Sequence, residues 1–189
     1  MKKGTKVLIA VLVVIVILVF PIISSYNNLV SLEQLVNTSE SNIDTQLQRR
    51  SDLIPNLVNT VKGYASQEKD IFTDIANARS KLSGATNISE QANADSQLSN
   101  ALSRLLVVVE RYPDLKSNQN FQDLSIQLEG TENRIAVARQ DYNTAVTNYN
   151  TKRRRFPTNI IASMFGFQEK QLYKASDSAN EVPSVDFSR

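Results

Sequence analysis

Positions 36, 40, 43, 47, 50, 54, 57, 61, 64, 68, 71, 75, 78 and 82 advance by alternating steps of four and three, and eleven of the fourteen hold an apolar residue, Tyr or Ala. Such a stripe lies on one side of an α-helix and has to be covered by partners. It predicts one helix from about Asn27 to Ser83, ended by Gly84. Unbroken, that helix is roughly 85 Å long. Asn87 followed by Glu90 resembles a capping box and predicts a second helix with Leu98, Leu102, Leu105, Val109 and Tyr112 on its inner face, stopped at Pro113. A third is predicted from near Asn118 to Arg154, where Phe121, Leu124, Leu128, Thr131, Ile135, Ala138, Tyr142, Ala145 and Tyr149 repeat the rhythm before Pro157. The short segment Ile160 to Phe167 follows, and the tail from Ala175 is polar. Short links between long helices imply an all-α, antiparallel up-and-down bundle of three long helices plus a short fourth. An open-ended coiled coil is the alternative, and a homo-oligomer along the first helix stays open.

Ahead of the bundle, Val7 to Ile23 is apolar without a break, and no Asp, Glu, Lys or Arg occurs between Lys6 and Glu33. Seventeen residues give roughly 26 Å of helix, slightly short of a hydrocarbon core of about 30 Å, so Ser24, Ser25 and Tyr26 are expected in the far interface. This reads as a single-pass anchor over residues 7–25 in the cell membrane. A cleaved signal peptide is the competing reading, opposed by the long apolar run and by ISS in place of an A-x-A site. Lys2, Lys3 and Lys6 precede the run and Arg49 is the first basic residue after it, which places residues 1–6 in the cytoplasm and the bundle, residues 26–174, outside.

The chain contains neither Cys nor His, which excludes thiol nucleophiles, disulfides, His bases and the usual zinc and di-iron ligand sets. Acidic residues are scattered singly, so no metal or other cofactor is expected. Beyond the three leading lysines, 18 basic residues face 19 acidic ones, a balance that does not suit nucleic acid.

The block QLQRRSDLIPNLVNTVKGYA (residues 46–65), the opening NNLVSLEQLV, and the later EGTENRIAVARQDYN and RRFPTNIIASMFGF occur in the order seen in the LemA family. The chain resembles that family over roughly residues 26–189. The resemblance implies a small membrane-anchored helical bundle, with some relatives connected with specialised bacterial membranes such as magnetosomes. It implies no catalytic or binding residues.

Arg50 and Glu68 fall on the apolar stripe, where charge is costly unless paired. Eighteen residues of helix separate them by roughly 27 Å, so each needs a partner on another helix. In an up-down-up bundle Glu68 lies near Arg134 or Arg139, which predicts a buried ion pair, with a polar ligand pocket as the alternative. Pro55 removes the amide that would bond to Ser51 and is expected to bend the helix, exposing Arg49, Arg50 and Asp52 as a candidate interaction site. Gly63 and Gly130 fall inside predicted helices, where glycine costs about 1 kcal/mol relative to Ala, which predicts close helix approach. Lys152, Arg153, Arg154 and Arg155 form the one dense basic run, expected tens of Å from the membrane and read as a cap on the third helix or a site for an acidic partner. Met164, Phe165 and Phe167 either close the bundle or offer a sticky face.

With an anchor, a bundle and no reactive set, the chain reads as a non-enzymatic membrane-anchored scaffold or adaptor presenting helix faces to a protein partner in the envelope. An extracytoplasmic ligand-binding or sensory bundle acting through a separate signalling partner is the alternative.

Overall fold

A computed structural model describes residues 3–174, so the polar tail lies outside the described residues. Within them the chain forms six helices and no strand: α1 Lys3–Lys62, α2 Lys69–Gly84, α3 Ile88–Val109, α4 Pro113–Lys116, α5 Gln119–Arg154 and α6 Thr158–Met164. The residues separate into two compact units, one of residues up to Glu40 with Asp141–Lys170, the other of Ser41–Gln140 with the segment from Gln171. α1 and α5 supply residues to both.

The second unit departs from the expected topology at one place. The predicted helix over 27–83 is two helices, because α1 stops at Lys62 and the chain turns through Gly63 to Glu68 before α2 begins. Tyr64 and Ala65 both donate their amides to the Val61 carbonyl, at 3.0 and 2.9 Å, which closes the turn. Gly63 therefore serves a turn rather than a close helix approach. Apolar spacing survives the reversal with a one-residue slip: Ala65 and Phe72 are buried where the stripe nominated Tyr64 and Ile71, while Ile75 and Ala78 stay inside.

Helix directions in this unit follow from cross-helix pairs. Asp74 meets Arg104 and Lys81 meets Gln97, so α2 and α3 are antiparallel; Asp44 meets Gln91 and Arg50 meets Asp95, so α1 and α3 run parallel. Residues 41–62 of α1, then α2, α3 and residues 119–140 of α5 alternate up, down, up and down around a core that includes Ile54, Leu57, Ile75, Leu98 and Leu105. The Asn87 cap is formed as expected: Asn87 Oδ1 accepts the Glu90 amide at 2.9 Å, and Glu90 reaches back to the Thr86 amide at 2.9 Å. α1 continues through Pro55 without ending.

In the first unit, residues up to Glu40 of α1 pair antiparallel with residues 141–154 of α5. The Glu40 carboxylate acts on Tyr142 and that of Glu33 on Tyr149. After α6, Gly166 adopts φ +75° and lets the Phe167 amide reach the Ala162 carbonyl at 3.0 Å, a left-handed stop that turns Phe167 back into the interior. The segment that follows is fastened to α5: Tyr149 donates to the Gln168 carbonyl at 2.8 Å, and the Asn150 amide group exchanges two hydrogen bonds with the Lys170 backbone. The basic run Lys152–Arg155 thus lies in the same unit as residues 26–33, where Lys170, held by Asn150, meets Glu33. The apolar run 7–23 lies within α1, and part of it falls on side chains outside the described residues. Among the described residues, no helix is long and apolar enough to cross a membrane.

Candidate functional site

Asp95 is the centre of the second unit's polar chemistry. It occupies the buried face of α3, three residues after Ala92 and three before Leu98, and is fully buried. A carboxylate there has to be saturated by donors, and three reach it. Arg50 of α1 donates from Nη1 at 2.9 Å, Arg139 of α5 donates from Nη2, and the Tyr173 hydroxyl donates at 2.8 Å. Arg50, 4% exposed, also donates from Nη2 to Ser99 Oγ at 3.0 Å. Its Nη1 lies 2.8 Å from Glu132 Oε2, an ion pair outside hydrogen-bond geometry, which leaves that carboxylate oxygen without a hydrogen-bond donor. Two guanidinium groups face two carboxylates, so the cluster is neutral.

The electrostatics follow from this closure. Burial acts first to lower the Arg139 pKa, but the Asp95 carboxylate, with Tyr173 and Glu132, outweighs it and raises the pKa above the ordinary value. Arg139 also stacks over the Tyr173 ring, 5.1 Å from its centroid. Burial, and then the neighbouring Asp95 carboxylate, push the Tyr173 hydroxyl up, with Arg139 opposing. Tyr173 is held in its neutral, donating form.

Beside the cluster lies a cavity of about 400 Å³, within the range typical of small-molecule pockets. Leu57, Leu102, Leu106 and Leu128 form its apolar wall, and Arg50, Ser99, Glu129 and Glu132 its polar end. The Ser125 hydroxyl, also in the lining, is buried without a hydrogen-bond partner. Among the described residues, no group of three carboxylates gathers closely enough to hold a metal ion.

The residues nominated from sequence separate on this structure. Arg50 is inside the cluster, whereas Arg49 and Asp52 are exposed, Asp52 accepting from Gln48 at 2.8 Å, and Pro55 is half-buried. Glu68 pairs with Arg111 at 2.8 Å, not with Arg134 or Arg139, because it sits in the turn before α2 and meets the end of α3. Arg134 is exposed, its Nη2 lying 3.4 Å from where a side chain at Gly130 would start. In the first unit, Arg153 donates from Nε to the Phe167 carbonyl at 2.9 Å and Arg154 pairs with Glu169 at 2.8 Å, so these two hold the segment after α6. Lys152 is half-buried and Arg155 exposed. Sequence reading missed Asp95 and Tyr173. Asp95 carried a usable signal, a charge on the apolar stripe of Ile88, Ala92, Leu98 and Leu102.

The description "LemA family" fits a family model matching residues 39–187, most of the chain and all of Arg50, Asp95, Glu132, Arg139 and Tyr173. The chain belongs to the LemA family. Two magnetosome proteins MamQ of Paramagnetospirillum magneticum are each 27% identical over 90% of this chain and 72% of their own length. MamQ of Magnetospirillum gryphiswaldense is 25% identical over 85% of this chain and 68% of its own, and Protein LemA of Metamycoplasma hominis 24% identical over 84% and 73%. Two of the sequence blocks that carry the resemblance, 46–65 and 129–143, supply Arg50 and Arg139, which meet on Asp95.

Proposed function

We propose that this LemA-family protein is a non-enzymatic scaffold anchored in the cell membrane by residues 7–25, with its helical part outside the cytoplasm and helix faces presented to an envelope protein. The observation that carries this reading is continuity: the apolar run belongs to the same helix, Lys3–Lys62, that supplies Leu29, Val36, Ile43, Leu57 and Val61 to the interior. Absence of Cys and His and mutual neutralisation of the buried charges support a structural role over catalysis. Relatives named as magnetosome proteins support work at an assembled cellular structure.

The test uses Ser66→Cys and Ser117→Cys, both at exposed turn positions of a cysteine-free chain. The protein is expected to stay in the membrane pellet after alkaline carbonate extraction, and both cysteines to react with an impermeant maleimide in intact spheroplasts. Release into the supernatant would remove the anchor. Labelling only after permeabilisation would invert the topology.

A second reading, a ligand-binding bundle, is favoured by the cavity. Its leucine wall suits an aliphatic body, while Glu129, Glu132 and the unpartnered Ser125 hydroxyl suit a positively charged donor end. Full-length protein in lipid nanodiscs, titrated against empty nanodiscs, is expected to bind n-hexylamine at least about tenfold more tightly than hexanoate, a difference of roughly 1.4 kcal/mol. Equal affinities, or tighter hexanoate binding, would dismiss it.

A further inference from the structure

The first unit carries a bulky apolar surface at the level where the apolar run ends. Tyr26 is the third residue beyond Ile23, about 4.5 Å farther along the helix axis. Its ring meets Phe165 edge-on with centroids 4.8 Å apart, and Phe167 at 5.7 Å. α5 approaches the same level, since its Asn150 holds the Lys170 backbone and Lys170 Nζ lies 3.1 Å from Glu33 Oε1. α6 therefore sits beside the point where α1 leaves the apolar run.

The short helix is apolar on two sides. Thr158, Ile161 and Ala162 face the interior. Ile160 and Met164, one turn apart, face outward, with Phe156 a further four residues back and Phe165 next in sequence. Their exposures, 80% for Phe156, 70% for Met164, 54% for Phe165 and 49% for Ile160, are far above what a covered surface shows. A cluster of this kind next to a membrane exit is the composition of an interfacial helix, with basic residues alongside to meet anionic headgroups. Lys152 and Arg155 supply them.

We infer that α6 and the residues flanking it lie in the outer interface of the bilayer, with Phe156, Ile160, Met164 and Phe165 inserted among headgroups and upper acyl chains and Lys152 and Arg155 on anionic lipid phosphates. This rests on the anchored reading above, because the apolar run fixes the bilayer plane next to Tyr26. The protein then meets the membrane twice, once by spanning it and once by lying on it.

The chain has no tryptophan, so single tryptophans report locally. Full-length protein carrying Val16→Trp, Met164→Trp or Phe165→Trp is reconstituted in phosphatidylcholine and phosphatidylglycerol vesicles containing lipids brominated at graded depths. Val16→Trp is expected to be quenched most by bromines near the bilayer centre. Both α6 variants should be quenched by shallow bromines, at the depth of about 5–10 Å that interfacial helices reach. Removing phosphatidylglycerol, or adding Lys152→Gln with Arg155→Gln, should weaken that shallow quenching. Quenching of Val16→Trp with none at either α6 position would overturn the interfacial surface and leave the anchor standing. No quenching at any position would overturn the anchor, and this inference with it. Met164 makes no ring contact with Tyr26, so its variant guards against local disruption at Phe165.

Discussion

Asp95→Ala is expected to destabilise the protein by about 3–5 kcal/mol, because truncating one partner leaves the buried Arg50 guanidinium short of its counter-charge. Glu132 is a poor substitute: its side chain is 41% exposed, and the buried carboxylate oxygen that approaches Arg50 makes no hydrogen bond to it. Glu132→Ala should cost less than Asp95→Ala, since Arg50 keeps its hydrogen-bonded pair with Asp95. Urea unfolding of the full chain in detergent micelles reads both. A loss below about 1 kcal/mol for Asp95→Ala would show that Arg50 escapes to water in the variant, and the cluster would no longer count as a determinant of the fold. The double replacement Asp95→Leu with Arg50→Met should recover only part of the loss, since it removes the Arg50 pair but leaves Arg139 and the Tyr173 hydroxyl without their acceptor.

Alkali should unfold the first unit through Tyr142. Burial, assisted by the Glu40 carboxylate, pushes this hydroxyl from an ordinary 10 to about 12, and the side chain is 2% exposed. The folded state holds the phenolic proton more tightly than the unfolded chain does. The stabilisation is therefore complete below pH 10, falls as the unfolded chain ionises, and is gone once pH passes the folded value near 12. A displacement of this size corresponds to about 2–3 kcal/mol. Tyr149, in the same unit, is shifted in the same direction, chiefly by burial, so the alkaline limb should be steep. Stability measured from pH 9 to 12 should decline less for Tyr142→Phe than for the wild type; parallel curves would mean that Tyr142 ionises in the native state without resistance.

Helix identity was legible because a three-four apolar rhythm survives whatever the helices pack against. The stripe of α5 from Phe121 to Tyr149 is buried or half-buried throughout, and the Asn87 cap closes on Glu90 as its spacing announced. Direction was not legible. The turn at Gly63 to Glu68 shifts the burial pattern by a single residue, so one long helix and two antiparallel ones leave nearly the same apolar trace. Glu68 meets Arg111 instead of Arg134 or Arg139 for that reason. Arg50 announced its need for a partner by standing on the stripe, but only the packing of α3 against α1 shows that Asp95 answers it. Tyr173 gave no such notice, since the segment after α6 carries no periodicity.

The buried cluster also orders events during synthesis. Tyr173 reaches back 78 residues to Asp95, and Arg139 reaches back 44. A growing chain presents Arg50 first, then Asp95, and completes the set only when nearly every described residue has left the ribosome. Until then the carboxylate has one donor, the Arg50 guanidinium, in place of three, and desolvating it is unfavourable. The second unit thus has a built-in reason to stay open until its last described residues arrive, and its charges act as a check that the chain has been delivered as far as Tyr173.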